Sequence, residues 1–262
     1  MFETISVTQD ARGMATLTLD RPEKHNAMSA QMISELTQAA AQLGADDTVR
    51  VVVLTGAGKS FCAGGDLGWM QAQMAADPET RFAEARKLAE MLQALNTMPK
   101  PLIGALQGNA FGGGIGLAAV CDMAVGVDGI KMALTETRLG LIPATIGPYV
   151  IARMGAAHAR RVFMSARVFD ASEAVDLGLL AKAVPAADLQ DAVEAEVLPY
   201  LSCAPGAVAS AKNLVQALGP RIDDAVIDRT IQSLVERWET DEAREGISAF
   251  FDKRKPAWNT QV

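Results

Sequence analysis

Hydrophobic and polar positions alternate over Ile5–Thr8 and again over Ala15–Leu19, with Asp10-Ala11-Arg12-Gly13 between them. That pattern predicts a β-hairpin. Ser29 is placed to cap a helix from Ala30 to Leu43, whose apolar face is Met32, Ile33, Leu36, Ala39, Ala40 and Leu43. Val49–Thr55 and Leu102–Leu106 are nearly continuous apolar runs, as expected of strands buried on both faces. A polar helix over Glu79–Asn96 lies between them. Beyond Gly116 the pattern gives a short helix, a strand near Asp122–Val127 and another near Lys131–Leu134. From Pro148 helical periodicity dominates, over Ala171–Leu177, Leu189–Leu201, Pro205–Ala217 and Ile222–Phe251, with Leu180–Val184 as a last short strand. The fold class is therefore α/β, with an N-terminal core and a C-terminal helical part. No solenoid period and no low-complexity linker interrupts it.

Composition narrows the function classes. Half of the 262 residues are hydrophobic, enough for a large core. No window of about 18 consecutive apolar residues occurs, which argues against a membrane span. Met1–Asp20 lacks a basic stretch followed by an apolar one, so no signal peptide is read there. Cys62, Cys121 and Cys203 are odd in number and widely spaced, which suits a reducing cytoplasm and gives no metal-ligand spacing. A net charge of −7 argues against general nucleic-acid binding, though not against an anionic small ligand.

Two glycine-rich segments carry the candidate chemistry. Gly56-Ala57-Gly58-Lys59-Ser60 ends like a phosphate-binding P-loop, but Val53 stands where the first glycine is needed and no helix follows Ser60. Gly114-Ile115-Gly116-Leu117-Ala118-Ala119 fits a relaxed dinucleotide fingerprint only formally. Read together, the two segments suggest something else. Each of the buried strands Val49–Thr55 and Leu102–Leu106 runs into a glycine-rich loop. If the strands are neighbours, one backbone N–H near Ala63 and one near Gly113 converge on a single oxygen. That is an oxyanion hole, suited to a thioester enolate.

Four segments in register carry a family resemblance. They are Asp20-Arg21-Pro22-Glu23-Lys24-His25-Asn26-Ala27, Phe61-Cys62-Ala63-Gly64-Gly65-Asp66-Leu67, Gly108-Asn109-Ala110-Phe111-Gly112-Gly113-Gly114, and Thr135 through Pro143. The chain resembles the crotonase, or enoyl-CoA hydratase/isomerase, superfamily from about Ile5 to Trp258. The resemblance implies a β-β-α spiral core over 1–200 and a helical trimerisation region over 201–262. It implies a homotrimer or homohexamer, and an acyl-CoA substrate whose coenzyme A is the only cofactor-like group. No metal, nucleic acid or membrane partner is expected, and the expected location is the cytoplasm.

The same resemblance assigns residues. Glu136 matches the family's proton-transfer glutamate, with the Ala63 and Gly113 N–H groups on the thioester oxygen. On the residues alone, a helix-capping or first-turn acid, or an ion pair with Arg138, is the plainer account of Glu136. The best-known hydratases carry a second glutamate where this chain has Gly116, a change expected to remove one water ligand and gain room. That leaves open a hydratase working with Glu136 alone, a Δ3-Δ2 enoyl-CoA isomerase, or a non-catalytic acyl-CoA binder. Pro148-Tyr149-Val150 together with Gly116 is similar to hydratases of methylglutaconyl-CoA or isohexenylglutaconyl-CoA. Residues expected to meet substrate or coenzyme A are Lys24, Ala27, Ala63, Gly64, Gly65, Asp66, Leu67, Gly113, Gly116, Tyr149, Phe250 and Lys253. For several, packing or solvation is an equal reading: Tyr149 as a packing aromatic, Asp66 as a turn-stabilising acid, Lys24 and Lys253 as solvated lysines. Cys62 reads as a buried structural thiol.

Overall fold

The alternation near the N-terminus becomes an antiparallel pair, β1 (Ile5–Gln9) and β2 (Met14–Leu19), in the computed structural model, which describes residues 2–260. Ala15, Leu17 and Leu19 point inward and their neighbours outward, so the period-2 pattern fixes which face packs. Helix α1 (Ala30–Ala45) follows, capped by the Ser29 hydroxyl, which accepts from the Met32 N–H. Strand β3 (Val51–Gly56) lies parallel to β2 and to β5 (Leu102–Leu106). The six-stranded sheet is completed by β7 (Met123–Val127) and β10 (Lys182–Val184), in the order β1-β2-β3-β5-β7-β10.

Continuous apolar runs are explained by what covers each face. Val52 and Leu54 pack into the main core, whereas Val51 and Val53 pack with Val193 and Val197 of α7 (Leu189–Leu201). A strand covered on both sides has no polar face to show.

A second sheet is built from very short strands, β4 (Ser60–Cys62), β6 (Asn109–Phe111), β8 (Lys131–Ala133) and β9 (Phe169–Asp170), in that order. The large-sheet strands β3, β5 and β7 each run on into β4, β6 and β8 respectively, and each pair is followed by helical chain. Gly64-Gly65 and Gly112-Gly113 thus follow β4 and β6, which stand between them and the long strands. Strands β4, β6 and β8 are parallel neighbours, so the three segments leaving their C-terminal ends emerge side by side. The Gly112 N–H donating to the Ala133 carbonyl at 2.9 Å ties two of those ends together.

The helices between these strands are α2 (Leu67–Ala75), α3 (Pro78–Thr97), α4 (Gly113–Val120), α5 (Gly147–Phe163) and α6 (Ala171–Asp176). The chain closes with α8 (Pro205–Leu218), α9 (Asp224–Trp238) and α10 (Asp241–Phe251). The periodic stretch Ile222–Phe251 is thus two helices. Thr240 breaks it, its hydroxyl accepting from the Ala243 N–H as the cap of α10. Ile227, Ile231 and Val235 of α9 pack on Ala85 and Ala89 of α3. Trp238, Ala243 and Ile247 pack with Leu141 beside the 3-10 turn Glu136–Leu139. Among the described residues no helix is long and apolar enough to cross a membrane.

Candidate active site

The ends of β4, β6 and β8 enclose a cavity of ≈ 470 Å³. Its wall is mostly apolar and includes Met28, Leu88, Leu141, Ile146, Leu234 and Trp238, with Gly65, Gly113 and Glu136 set into it. The two glycine loops touch. A Cβ on Gly64 would lie 3.1 Å from the Phe111 carbonyl oxygen and 3.8 Å from the Gly113 nitrogen. Gly64 and Gly112 also hold φ values of +95° and +48°, in the region that favours glycine.

The amide donors differ from the expected pair. The Ala63 N–H is already committed to the His25 carbonyl, at 3.0 Å, and is not free for a ligand. Met28 and Gly65 form a bridge in which the Met28 N–H donates to the Gly64 carbonyl and the Asp66 N–H to the Met28 carbonyl. The amide left unengaged between them is Gly65, whose residue lines the cavity. Gly113, the first residue of α4, likewise has an N–H with no acceptor among the described residues. The expected pair of Ala63 and Gly113 is therefore corrected: the unengaged amides at the cavity are those of Gly65 and Gly113. No sequence spacing distinguishes Ala63 from Gly65, because the His25 carbonyl that occupies one of them is 38 residues away.

Glu136 opens the 3-10 turn after β8 as the acid of its first turn, and among the described residues it forms no ion pair with Arg138. The residue as a whole is partly accessible, but its Oε2 is sealed and has no hydrogen-bond partner. Its Oε1 lies 3.1 Å from where a Gly112 Cβ would be, so a glycine there lets the carboxylate reach the loop. Burial pushes its pKa up to about 7, with only its own main-chain N–H pulling the other way. A carboxyl balanced between its two forms near neutral pH is fitted to exchange protons.

Gly116 is buried in α4, and no room opens beside it. A Cβ there would lie 2.4 Å from Ile146 Cγ2 and 3.0 Å from Ile146 Cβ. Ile146 occupies the place a longer side chain would need, and Ile146 rather than Gly116 lines the cavity. Tyr149 is also displaced from its expected role. It is fully buried, and its hydroxyl lies 3.0 Å from Gln93 Oε1 and donates to it, away from the cavity. Burial raises its pKa, as fits a neutral packing phenol.

Asp66 does not line the cavity. Its Oδ1 caps α2, accepting from the Gly68 N–H at 2.8 Å, and its Oδ2 pairs with Arg21 at 3.1 Å. Burial alone would raise its pKa, but the Arg21 hydrogen bond and the two capped amides together hold it below the usual value. Leu67, Ala63, Gly64 and Phe250 line the cavity. Lys24 is exposed on the turn Pro22–Lys24, Ala27 is buried with its carbonyl accepting from Arg21 at 2.7 Å, and Lys253 is exposed beyond α10. None of those three lines the cavity. Burial pushes the Cys62 thiol up to about 12, which makes it inert. Among the described residues no cluster of His, Cys, Asp and Glu is arranged to hold a metal.

Two cavity residues are not among the expected substrate contacts. Arg138 lines both this cavity and the adjoining groove formed with Arg254 and Trp258, and its guanidinium makes no ion pair among the described residues. Thr145 is buried in the wall beside Ile146.

Comparison with known proteins gives the chain's relatives. The model of the enoyl-CoA hydratase/isomerase family matches residues 9–261. A probable enoyl-CoA hydratase of Mycobacterium bovis, echA8, is 34% identical over 261 residues, covering 97% of each chain. The crystal structure of an enoyl-CoA hydratase from Shewanella pealeana is 37% identical, covers 98% of this chain and 97% of its own, and superimposes with a TM-score of 0.81. That of an enoyl-CoA hydratase from Mycobacterium avium is 31% identical, with a TM-score of 0.85 over 98% of this chain and all of its own.

Proposed function

This chain belongs to the enoyl-CoA hydratase/isomerase family, and from that membership we propose that it adds water across the double bond of a 2-enoyl-CoA. One observation carries the reading. A single buried carboxyl, unpartnered at Oε2 and with its pKa raised to about 7, shares an apolar cavity with two unengaged main-chain N–H donors. The Gly65 and Gly113 amides donate to the thioester oxygen. The Glu136 carboxylate takes a proton from water as the oxygen of that water bonds to the β-carbon. The π electrons move toward the thioester, building an enolate whose negative oxygen the two amides stabilise. Glu136 then returns the proton to the α-carbon, and the enzyme is regenerated.

Replacing Glu136 by Gln tests this. The variant should lose about 10²–10⁴-fold in kcat for loss of the conjugated enoyl-thioester absorbance, while still binding acyl-CoA. Wild-type enzyme that binds acyl-CoA but turns over no enoyl-CoA would overturn the enzymatic reading. The presence of one carboxylate, with Ile146 where a second would stand, also supports a Δ3-Δ2 isomerase, since a single base suffices to move a proton between carbons. Gain of conjugation from a 3-enoyl-CoA without hydration of a 2-enoyl-CoA would favour it.

For the acyl group, the unpaired Arg138 at the cavity rim supports a chain that ends in a carboxylate, such as a methylglutaconyl-type thioester. Lys24, Ala27 and Lys253 stand outside the cavity and are proposed to meet the coenzyme A moiety. Leu214, Val215 and Leu218 on α8 are exposed apolar side chains, which supports a homotrimer or homohexamer.

A further inference from the structure

The hydratase reading leaves the attacking water with one carboxylate, and a water needs a second partner to be held in line. That partner does not come from α4, because Ile146 fills the space over Gly116. The residue before Ile146 supplies an alternative. Thr145 is only 6% exposed and lines the same cavity. Among the described residues its hydroxyl makes no hydrogen bond, and its oxygen is not sealed, in a residue that lines the cavity. Buried polar groups are nearly always paired, so an unpaired one facing a cavity asks for a partner from inside it.

The other polar side chains of the wall serve less well. The Trp69 indole N–H is sealed from the cavity, Arg138 stands exposed at the rim, and Thr135 is less buried and precedes Glu136 directly in the chain. Thr145 instead belongs to the segment that covers the α4 side, where the second carboxylate is missing.

Resting on the hydratase reading, we infer that Thr145 is the second ligand of the attacking water. One water O–H donates to Glu136 and the other to the Thr145 hydroxyl oxygen. Thr145 gains and loses no proton, so the chemistry remains that of one carboxylate. The inference makes the hydroxyl necessary for hydration but not for proton exchange at the α-carbon, which uses only Glu136 and the two amides.

Thr145→Val keeps the volume and removes the hydroxyl. With crotonyl-CoA its kcat for hydration should fall about 10- to 100-fold while KM stays within about twofold, and Thr145→Ser should stay within about threefold of wild type. Exchange of the α-protons of butyryl-CoA in D₂O should be the same in wild type, Val and Ser variants. Hydration by Thr145→Val at the wild-type rate would overturn the inference and leave the hydratase reading intact. An equal loss of α-proton exchange would overturn it too, as the mark of a merely structural role. If wild-type enzyme exchanges α-protons but hydrates no 2-enoyl-CoA, the hydratase reading falls and this inference with it.

Discussion

Glu136 has a carboxyl that is costly to charge, and two measurable consequences follow from that one fact. Its pKa is raised to about 7 by burial from an ordinary 4.5. Only the carboxylate can accept a proton from water, so kcat/KM should rise with pH and level off above about 7, with a single ionisation on the acid side. A pH profile flat between 5 and 8 would contradict this. The second consequence is for stability. A proton bound more tightly in the folded than the unfolded state stabilises the fold below the unfolded pKa. That contribution disappears as pH rises through the folded pKa. The wild-type protein should therefore lose up to about 3 kcal/mol between pH 4 and pH 8 from this group alone. Glu136→Gln should melt higher than wild type at pH 8 and at the same temperature at pH 4. At this scale the sequence was only partly legible. The resemblance located Glu136, but the choice of Gly65 over Ala63 depends on a hydrogen bond to His25 that local sequence does not encode. Nor does Gly116 announce its neighbour, since the contact with Ile146 crosses from one helix to the start of another.

The turn Glu136–Leu139 and helix α10 meet backbone to backbone. A Cβ on Gly246 would lie 2.5 Å from the Leu139 carbonyl carbon, and one on Gly140 would lie 2.4 Å from the Glu242 carbonyl oxygen. Main chain has no flexible end to yield, so Gly246→Ala must push the two elements apart. It should cost about 1–3 kcal/mol of stability, read from the denaturant midpoint. It should also lower kcat, because the displaced turn carries Glu136, the proposed proton-transfer group; a variant as stable as wild type would refute the contact. At the start of α2, Asp66→Ala removes the helix cap and one partner of Arg21, and should cost about 1–2 kcal/mol. Long elements were readable from pattern alone: Leu102–Leu106 and Leu189–Leu201 match their predicted bounds. The strands of the second sheet have two or three residues each, too few for a period to show. Helix α2 was missed because its apolar residues form no stripe, several of them facing the cavity or solvent.

At the scale of the whole molecule, the α/β core and its helical C-terminal part were legible because burial of both faces of β3 and β5 leaves a plain mark in composition. The second sheet, which gathers the active-site segments, left almost none. What the chain leaves uncovered suggests assembly. Val215 and Leu218 on α8 are 72% and 80% exposed, a costly arrangement for a lone chain in water. Light scattering should give a mass above that of one chain, and Val215→Glu with Leu218→Glu should return it toward the monomer. A monomeric wild type would refute this. The packing of Ile146 over Gly116 has a consequence on a different axis, that of the substitutions open to the sequence over generations. Gly116→Glu on its own drives a carboxylate into Ile146, and Ile146→Gly on its own leaves a hole in the wall. Each step is harmful alone, and only the pair makes space for a second acid. The two positions are thus a locked combination: selection that moves one site at a time holds the chain in its one-carboxylate form, and a change of chemistry at this centre requires both to turn together.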